Sequence, residues 1–233
     1  YQAKKSQAVY KIIAFLQQRD AEILVDKPFY EFITEGQHLD LSVTRVFEGD
    51  DFEADFAVSM GGDGTLLKTA TRVGEKKIPI IGVNIGRLGF LTAVNPSEIE
   101  KAFSALYTGD YLVHDHSVIK AETDEGDEIT GSPYALNDIA LLKRDNASMI
   151  SIRTSINAEY LMTYQADGII VTTPTGSTAY SLSNGGPVIA PDTGTLCLTA
   201  VAPHSLTARP IVVPDSCVIT MKVESRNHSF LAA

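Results

Sequence analysis

"FAVSMGGDGTLLKTATRVGEKKIPIIGV", from Phe56 to Val83, decides how the first half of this chain is read. An apolar run at Phe56–Ser59 leads into a glycine loop. Leu66, Leu67, Ala70 and Val73 then recur at helical spacing, and Ile78–Val83 is a second apolar run. Strand, helix and strand with near-continuous apolar strands imply a parallel sheet covered on both faces. The loop itself can hold an anion. Gly61, Gly62 and Gly64 have no Cβ, so the backbone there can take positive φ, and a bulky anion can approach N–H groups at the start of a helix expected near Thr65. Asp63 is the odd member, because a carboxylate beside a phosphate is repelled unless it binds a metal, accepts a proton or grips a hydroxyl. A bare Asp-Gly pair reads first as a turn, and only the full GGDGT between strand and helix favours the functional reading.

Upstream, Val9, Ile12, Ile13 and Leu16 predict a helix from Ser6 to about Arg19, and Ala21–Val25 a short strand. A helix in that place normally follows a first strand, so a few native residues are expected before Tyr1. Downstream, Asn95 is the expected N-cap of a helix with Pro96 at its first position and Gly109 as its stop. From Tyr111 onward the chain alternates in short segments, "SVIKAE", "ALNDIALLK", "MISIRTSI" and "CVITMKV", with "TDEGDE" as a solvated hairpin tip. The expected organisation is α+β in two domains: residues 1–109 as an α/β domain carrying the GGDGT loop, and 110–233 as an antiparallel β-rich domain.

The 233 residues carry 19 basic and 29 acidic side chains for a net charge of −10, which repels a phosphate backbone, so nucleic acid is excluded as a partner. No stretch approaches the roughly 20 apolar residues of a membrane span. Cys197 and Cys217 sit in strand-like runs without metal-ligand spacing, which reads as two buried free thiols in a reducing cytoplasm. His114 and His116 are expected on one face of a strand, where they could bind a metal but lack a third ligand, so a surface role is expected.

Two further stretches are candidates for chemistry. In "ADGIIVTTPTGSTAYSLSNGGP", Ala166–Pro187, the strand Ile169–Val171 feeds Thr173, Thr175, Ser177 and Thr178, then Tyr180 and a Gly-Gly-Pro turn. That is either a nucleoside site or a hydroxyl-rich turn opening a short helix. In "LNDIALLK", Asn137 and Asp138 interrupt an apolar strand, and both can reach one ligand only where the strand kinks or ends.

Together, "GGDGT" at 61–65, "NIGRLGF" at 84–90, "LND" at 136–138, "DGIIVTTPTGSTAYSLSNGGP" at 167–187 and "APHSLTARPIVVPD" at 202–215 resemble NAD kinases in order and spacing. Lipid and sugar kinases share the GGDG loop, but lipid kinases follow it with Gly-Thr-x-Asn-Asp, which is absent here; a non-catalytic dinucleotide-binding regulator is the other alternative. The resemblance implies phosphoryl transfer from ATP or polyphosphate to the 2′-hydroxyl of the adenosine ribose of NAD, with Mg²⁺ or another divalent cation. Asp63 is the implied catalytic residue; Gly61, Gly62, Gly64 and Thr65 hold phosphates, and Lys68 reaches the diphosphate or donor. Asn137 and Asp138, the latter where the family has Glu, hold ribose hydroxyls. Phe90, Thr175, Thr178, Ala179 and Tyr180 face adenine and ribose, with Ser181 beside them. Asp167, Ser183 and Ala202 belong to the nicotinamide half, where Gln165 replaces a frequent Arg, and Ser148 meets the dinucleotide from a neighbouring subunit. A Rossmann-like, phosphofructokinase-like first domain, an antiparallel β-sandwich as the second and a homodimer or homotetramer are implied.

Overall fold

The computed structural model describes residues 2–37, 43–85, 89–124, 129, 131–144, 149–224 and 230–232. The chain divides into two compact units, Tyr1–Val113 and His114–Ala233.

The first unit runs α1 (Gln2–Gln17), β1 (Leu24–Asp26), α2 (Lys27–Gln37), β2 (Arg45–Phe47), β3 (Ala57–Gly61), α3 (Asp63–Val73), β4 (Ile80–Asn84) and α4 (Ile99–Thr108). β1 pairs with β2 and β3 with β4, both parallel, so the expected sheet is present as two parallel pairs. Alternation along β3 and β4 sends Val58, Met60, Ile81 and Val83 to one face, where they pack on Ala8, Ile12 and Phe15 of α1 and Ile99 and Phe103 of α4. Ser59 and Gly82, paired in register, belong to the opposite face; a Cβ on Gly82 would stand 2.7 Å from the Leu66 side chain of α3. Both faces of this pair are therefore covered. Arg72, in the last turn of α3, ion-pairs with Asp26 at 2.8 Å and Asp50 at 2.7 Å, tying that helix to the end of β1.

Three local expectations change. α3 starts at Asp63, two residues before the expected position, with Gly62 as its N-cap. None of Gly61, Gly62 and Gly64 has positive φ, and Gly62 is extended at φ −107°. Gly61 is needed for space, since a Cβ there would run into the Thr65 side chain. α4 starts at Ile99, because the Glu98 carboxylate draws back to the Asn95 side-chain amide at 2.9 Å and fixes 95–98 as a turn. Its stop is as expected: Gly109 takes φ 72° at the C-cap.

The second unit contains the short antiparallel pair β5 (Ile119–Lys120) and β6 (Tyr134–Ala135), then β7 (Asp138–Lys143), β8 (Ile150–Ile156), β9 (Glu159–Ala166), β10 (Gly168–Thr172), a 3₁₀ turn (Thr175–Thr178), α5 (Tyr180–Ser183), β11 (Thr195–Val201), β12 (Ile211–Pro214), β13 (Ile219–Glu224) and β14 (Phe230–Ala232). A five-stranded sheet in the order β12-β11-β10-β7-β14 and a three-stranded sheet β13-β8-β9 are both antiparallel. Leu141, Ile169, Val171, Leu196 and Leu198 of the larger sheet and Ile150, Ile152, Tyr164 and Ala166 of the smaller bury into one cluster, the core of a sandwich. The α+β, two-domain architecture holds. Most of the expected hairpin tip at 123–128 lies outside the described residues. Cys197 is a buried free thiol as expected, whereas Cys217 is only half-buried. Among the described residues no helix is long and apolar enough to cross a membrane.

Candidate active site

Asp63 is the first residue of α3, at the carboxyl end of β3, and no side chain caps that helix start. The carboxyl ends of parallel strands are where open α/β sheets bind ligands, because helix N-termini and loops open there. The backbone is exposed to an approaching anion: a Cβ on Gly62 or Gly64 would meet nothing within 4 Å. Thr65 and Lys68 are exposed on α3, and Lys68 stands one turn after Gly64 on the same face. The Asp63 carboxylate is held by the chain that follows β4. Phe90 N–H donates to Oδ2 at 2.7 Å and Leu91 N–H to Oδ1 at 2.9 Å. The Phe90 ring, expected to line an adenine pocket, is 91% exposed.

In the second unit, β7 begins at Asp138, so the chain at Asn137 is released from strand alternation, the condition for both side chains to serve one ligand. The backbone around them is fixed by buried hydroxyls. Thr172 Oγ1 donates to Asn137 O at 3.1 Å and Thr173 Oγ1 to Leu136 O at 2.6 Å, while Thr173 N–H donates to Asn137 O at 2.9 Å. A Cβ on Gly176 would strike the Asn137 carbonyl, so glycine is required for the turn to close on this strand end. Burial raises the Asp138 pKa, opposed by the Tyr180 backbone N–H that bonds its carboxylate. Thr178, Ala179 and Tyr180 are exposed beside it. Thr175 Oγ1 lies 3.0 Å from His116 Nδ1. Ser181 is fully buried and its hydroxyl meets Thr199 Oγ1 at 2.8 Å, so its side chain supports the turn from behind. Ser177, equally buried, bonds Pro174 O at 2.7 Å and receives Ile189 N–H at 3.0 Å.

Asp167 and Ala202 meet at the other end of β10. Lys143 Nζ is 2.7 Å from Asp167 Oδ1, Asp167 N–H donates to Val201 O at 2.9 Å, and Ala202 turns at φ 44°. The two expected groups thus lie at opposite ends of one five-residue strand, roughly 15 Å apart at strand rise. The Ser183 hydroxyl bonds Tyr180 O at 2.8 Å, one turn back along α5. Ser148 lies outside the described residues. Residues 114–116 form no strand: His114 faces Asp192 at 3.5 Å and His116 faces Thr175, so the two rings serve separate partners. Among the described residues no group of three or more His, Cys, Asp or Glu is placed to hold a metal. Lys143, Thr199 and the Phe90 and Leu91 amides were missed in the sequence; only Lys143, a cation closing an apolar strand, left a signal there.

The ATP-NAD kinase N-terminal domain model matches residues 3–111, and the ATP-NAD kinase C-terminal domain model matches residues 136–233. An NAD kinase of Bacteroides fragilis is 52% identical over 233 residues, all of this chain and 80% of that one. The chain belongs to the NAD kinase family. Other NAD kinases are similar too: that of Cytophaga hutchinsonii is 41% identical, covering 96% of this chain and 77% of its own, and that of Geobacter metallireducens 42%, covering 93% and 74%. Among solved structures, a yeast NADH kinase complexed with NADH superposes with a TM-score of 0.81 at 26% identity, covering 97% of this chain and 70% of that one. An NAD kinase from Archaeoglobus fulgidus in complex with ATP gives 0.66 at 28% identity, covering 90% and 82%. Each unit thus carries a match to one NAD kinase domain.

Proposed function

We propose that this chain transfers the γ-phosphoryl group of ATP, or of polyphosphate, to the 2′-hydroxyl of the adenosine ribose of NAD, giving NADP and ADP. The observation that carries this reading is an aspartate fixed by two backbone amides at an uncapped helix start, in a chain whose relatives are NAD kinases. Phosphoryl transfer asks mainly for in-line positioning and charge stabilisation. The 2′-oxygen forms its bond to the γ-phosphorus as the bond to the ADP oxygen breaks, and Asp63 takes the hydroxyl proton. Gly61, Gly62 and Gly64 offer N–H groups to phosphate, and Thr65 and Lys68 stand beside them on α3.

In this reading the first unit handles phosphates and the second holds the dinucleotide. Asn137 and Asp138 hold ribose hydroxyls, Phe90, Thr175, Thr178, Ala179 and Tyr180 contact the adenosine half, and Asp167 and Ala202 contact nicotinamide. Ser183, one turn along α5 from Tyr180, is read with the nicotinamide half. A divalent cation is read as entering with the donor, bound to its phosphates and neutralising their charge. A cytoplasmic homo-oligomer with Ser148 at a shared site completes the reading, testable by sedimentation.

A panel of donors (ATP, polyphosphate) and acceptors (NAD, NADH, diacylglycerol, fructose 6-phosphate) with Mg²⁺ tests the function; NADP or NADPH as the sole phosphorylated product is expected. Asp63→Asn should slow turnover at least about a hundredfold while NAD binding changes little. Equal losses in turnover and binding would reduce Asp63 to a binding residue.

A further inference from the structure

Asp63 is gripped from a distance in sequence, by amides 27 and 28 residues downstream. Each carboxylate oxygen receives one N–H, at 2.7 Å from Phe90 and 2.9 Å from Leu91, and two charge-assisted bonds from successive amides fix both the rotation and the plane of the carboxylate. Gly89 makes the approach possible. A Cβ there would overlap Oδ1 and stand 2.6 Å from Cγ and 2.7 Å from Oδ2 of Asp63. Gly89 is not among the glycines with positive φ, so space, and not backbone angle, requires it.

We propose that Gly89 is a positioning residue for phosphoryl transfer: by lacking a side chain it lets the Phe90 and Leu91 amides clasp the Asp63 carboxylate in its reacting orientation. The proposal rests on the reading of Asp63 as the group that takes the 2′-hydroxyl proton. An ionised carboxylate offers about four acceptor sites, so the clasp uses one on each oxygen and leaves others for the hydroxyl. Alanine at 89 displaces the carboxylate and leaves two amides without their acceptor. Misplacement of a reacting group by about 1 Å can cost a hundredfold in rate.

The test measures NADP formation by the whole chain. For Gly89→Ala, kcat should fall about a hundredfold with KM for NAD and ATP little changed. Placed in the Asp63→Asn background, the same substitution should cost almost nothing further, because its effect runs through the carboxylate. Wild-type kcat in Gly89→Ala, a rise in KM alone, or an equal cost in both backgrounds would overturn the proposal. Should Gly89→Ala fail to fold, NMR of the otherwise native chain decides: the Phe90 and Leu91 amide protons should both move upfield in Asp63→Asn, and unmoved resonances would overturn it. A wild-type chain making no NADP with any donor defeats the function, while the amide shifts still test the clasp.

Discussion

Asp138 joins cost and use in one side chain. Burial raises its pKa while the Tyr180 N–H pulls the other way, so the carboxyl is partly removed from water yet keeps a donor. A carboxyl whose folded pKa lies above its unfolded value binds its proton more tightly in the folded state. Stability therefore falls as pH rises from the unfolded value near 4 through the raised folded value, and is level above it. Asp138→Asn should remove that slope and raise the melting temperature at pH 7, as thermal melts between pH 3.5 and 7 will record. The same change should lower kcat/KM for NAD by about tenfold to a hundredfold, the cost of a lost charged hydrogen bond. A lower melting temperature at pH 7 would mean that the carboxylate is needed by the fold. The shorter side chain, one methylene less than the usual glutamate, is legible in the sequence. Its partnership with Tyr180, forty-two positions away, is not.

At the scale of elements, the site of the second unit is a junction between a strand end and a turn. The hydroxyls of Thr172 and Thr173 bind the carbonyls of Asn137 and Leu136, and Gly176 lies against the Asn137 backbone with no room for a side chain. Gly176→Ala forces backbone apart, since the atoms in the way are not the ends of flexible side chains. Overpacking of this kind costs about 1–3 kcal/mol, to be read from chemical denaturation, and KM for NAD should rise as Asn137 moves. An unchanged midpoint and KM would show that the junction tolerates displacement. The helices teach the complementary lesson. Gly109 stops α4 where expected because a left-handed C-cap is a local demand of the backbone. The start of α4 is displaced although Glu98 reaches back to the Asn95 N–H as in a capping box, because its carboxylate also holds the Asn95 side-chain amide and 95–98 stays a turn. β9 escaped notice because its hairpin turn, Asn157–Ala158 at φ 50° and 68°, lacks the glycine that usually announces such a turn.

At the scale of the molecule, the described residues form separate cores: Ala8, Ile12, Phe15, Val83, Ile99 and Phe103 in the first unit, and the inner faces of two sheets in the second. Phe103→Ala should cost the first unit about 3–5 kcal/mol. Hydrogen exchange should then quicken at Val83 and Ile99 while Ile169–Val171 stay protected; joint loss of protection would mean a single cooperative body. The two-unit plan was legible because apolar periodicity changes from helical to alternating near residue 110. The glycine loop was legible as a candidate ligand site but not in its mechanics. Gly61 and Gly89 serve by absence of volume, which depends on Thr65 and on Asp63 twenty-six residues away, and no local pattern encodes that.

The buried hydroxyls of Thr172, Thr173, Ser177, Ser181 and Thr199 have a consequence for how the enzyme will answer to acidity. None of them gains or loses a proton in the range where proteins work. This hydroxyl framework is electrically silent, and none of its donors is lost by titration between pH 5 and pH 9. Whatever curvature a rate profile shows between those limits reports reactants and ionisable groups around this framework, and not a loosening of the frame itself.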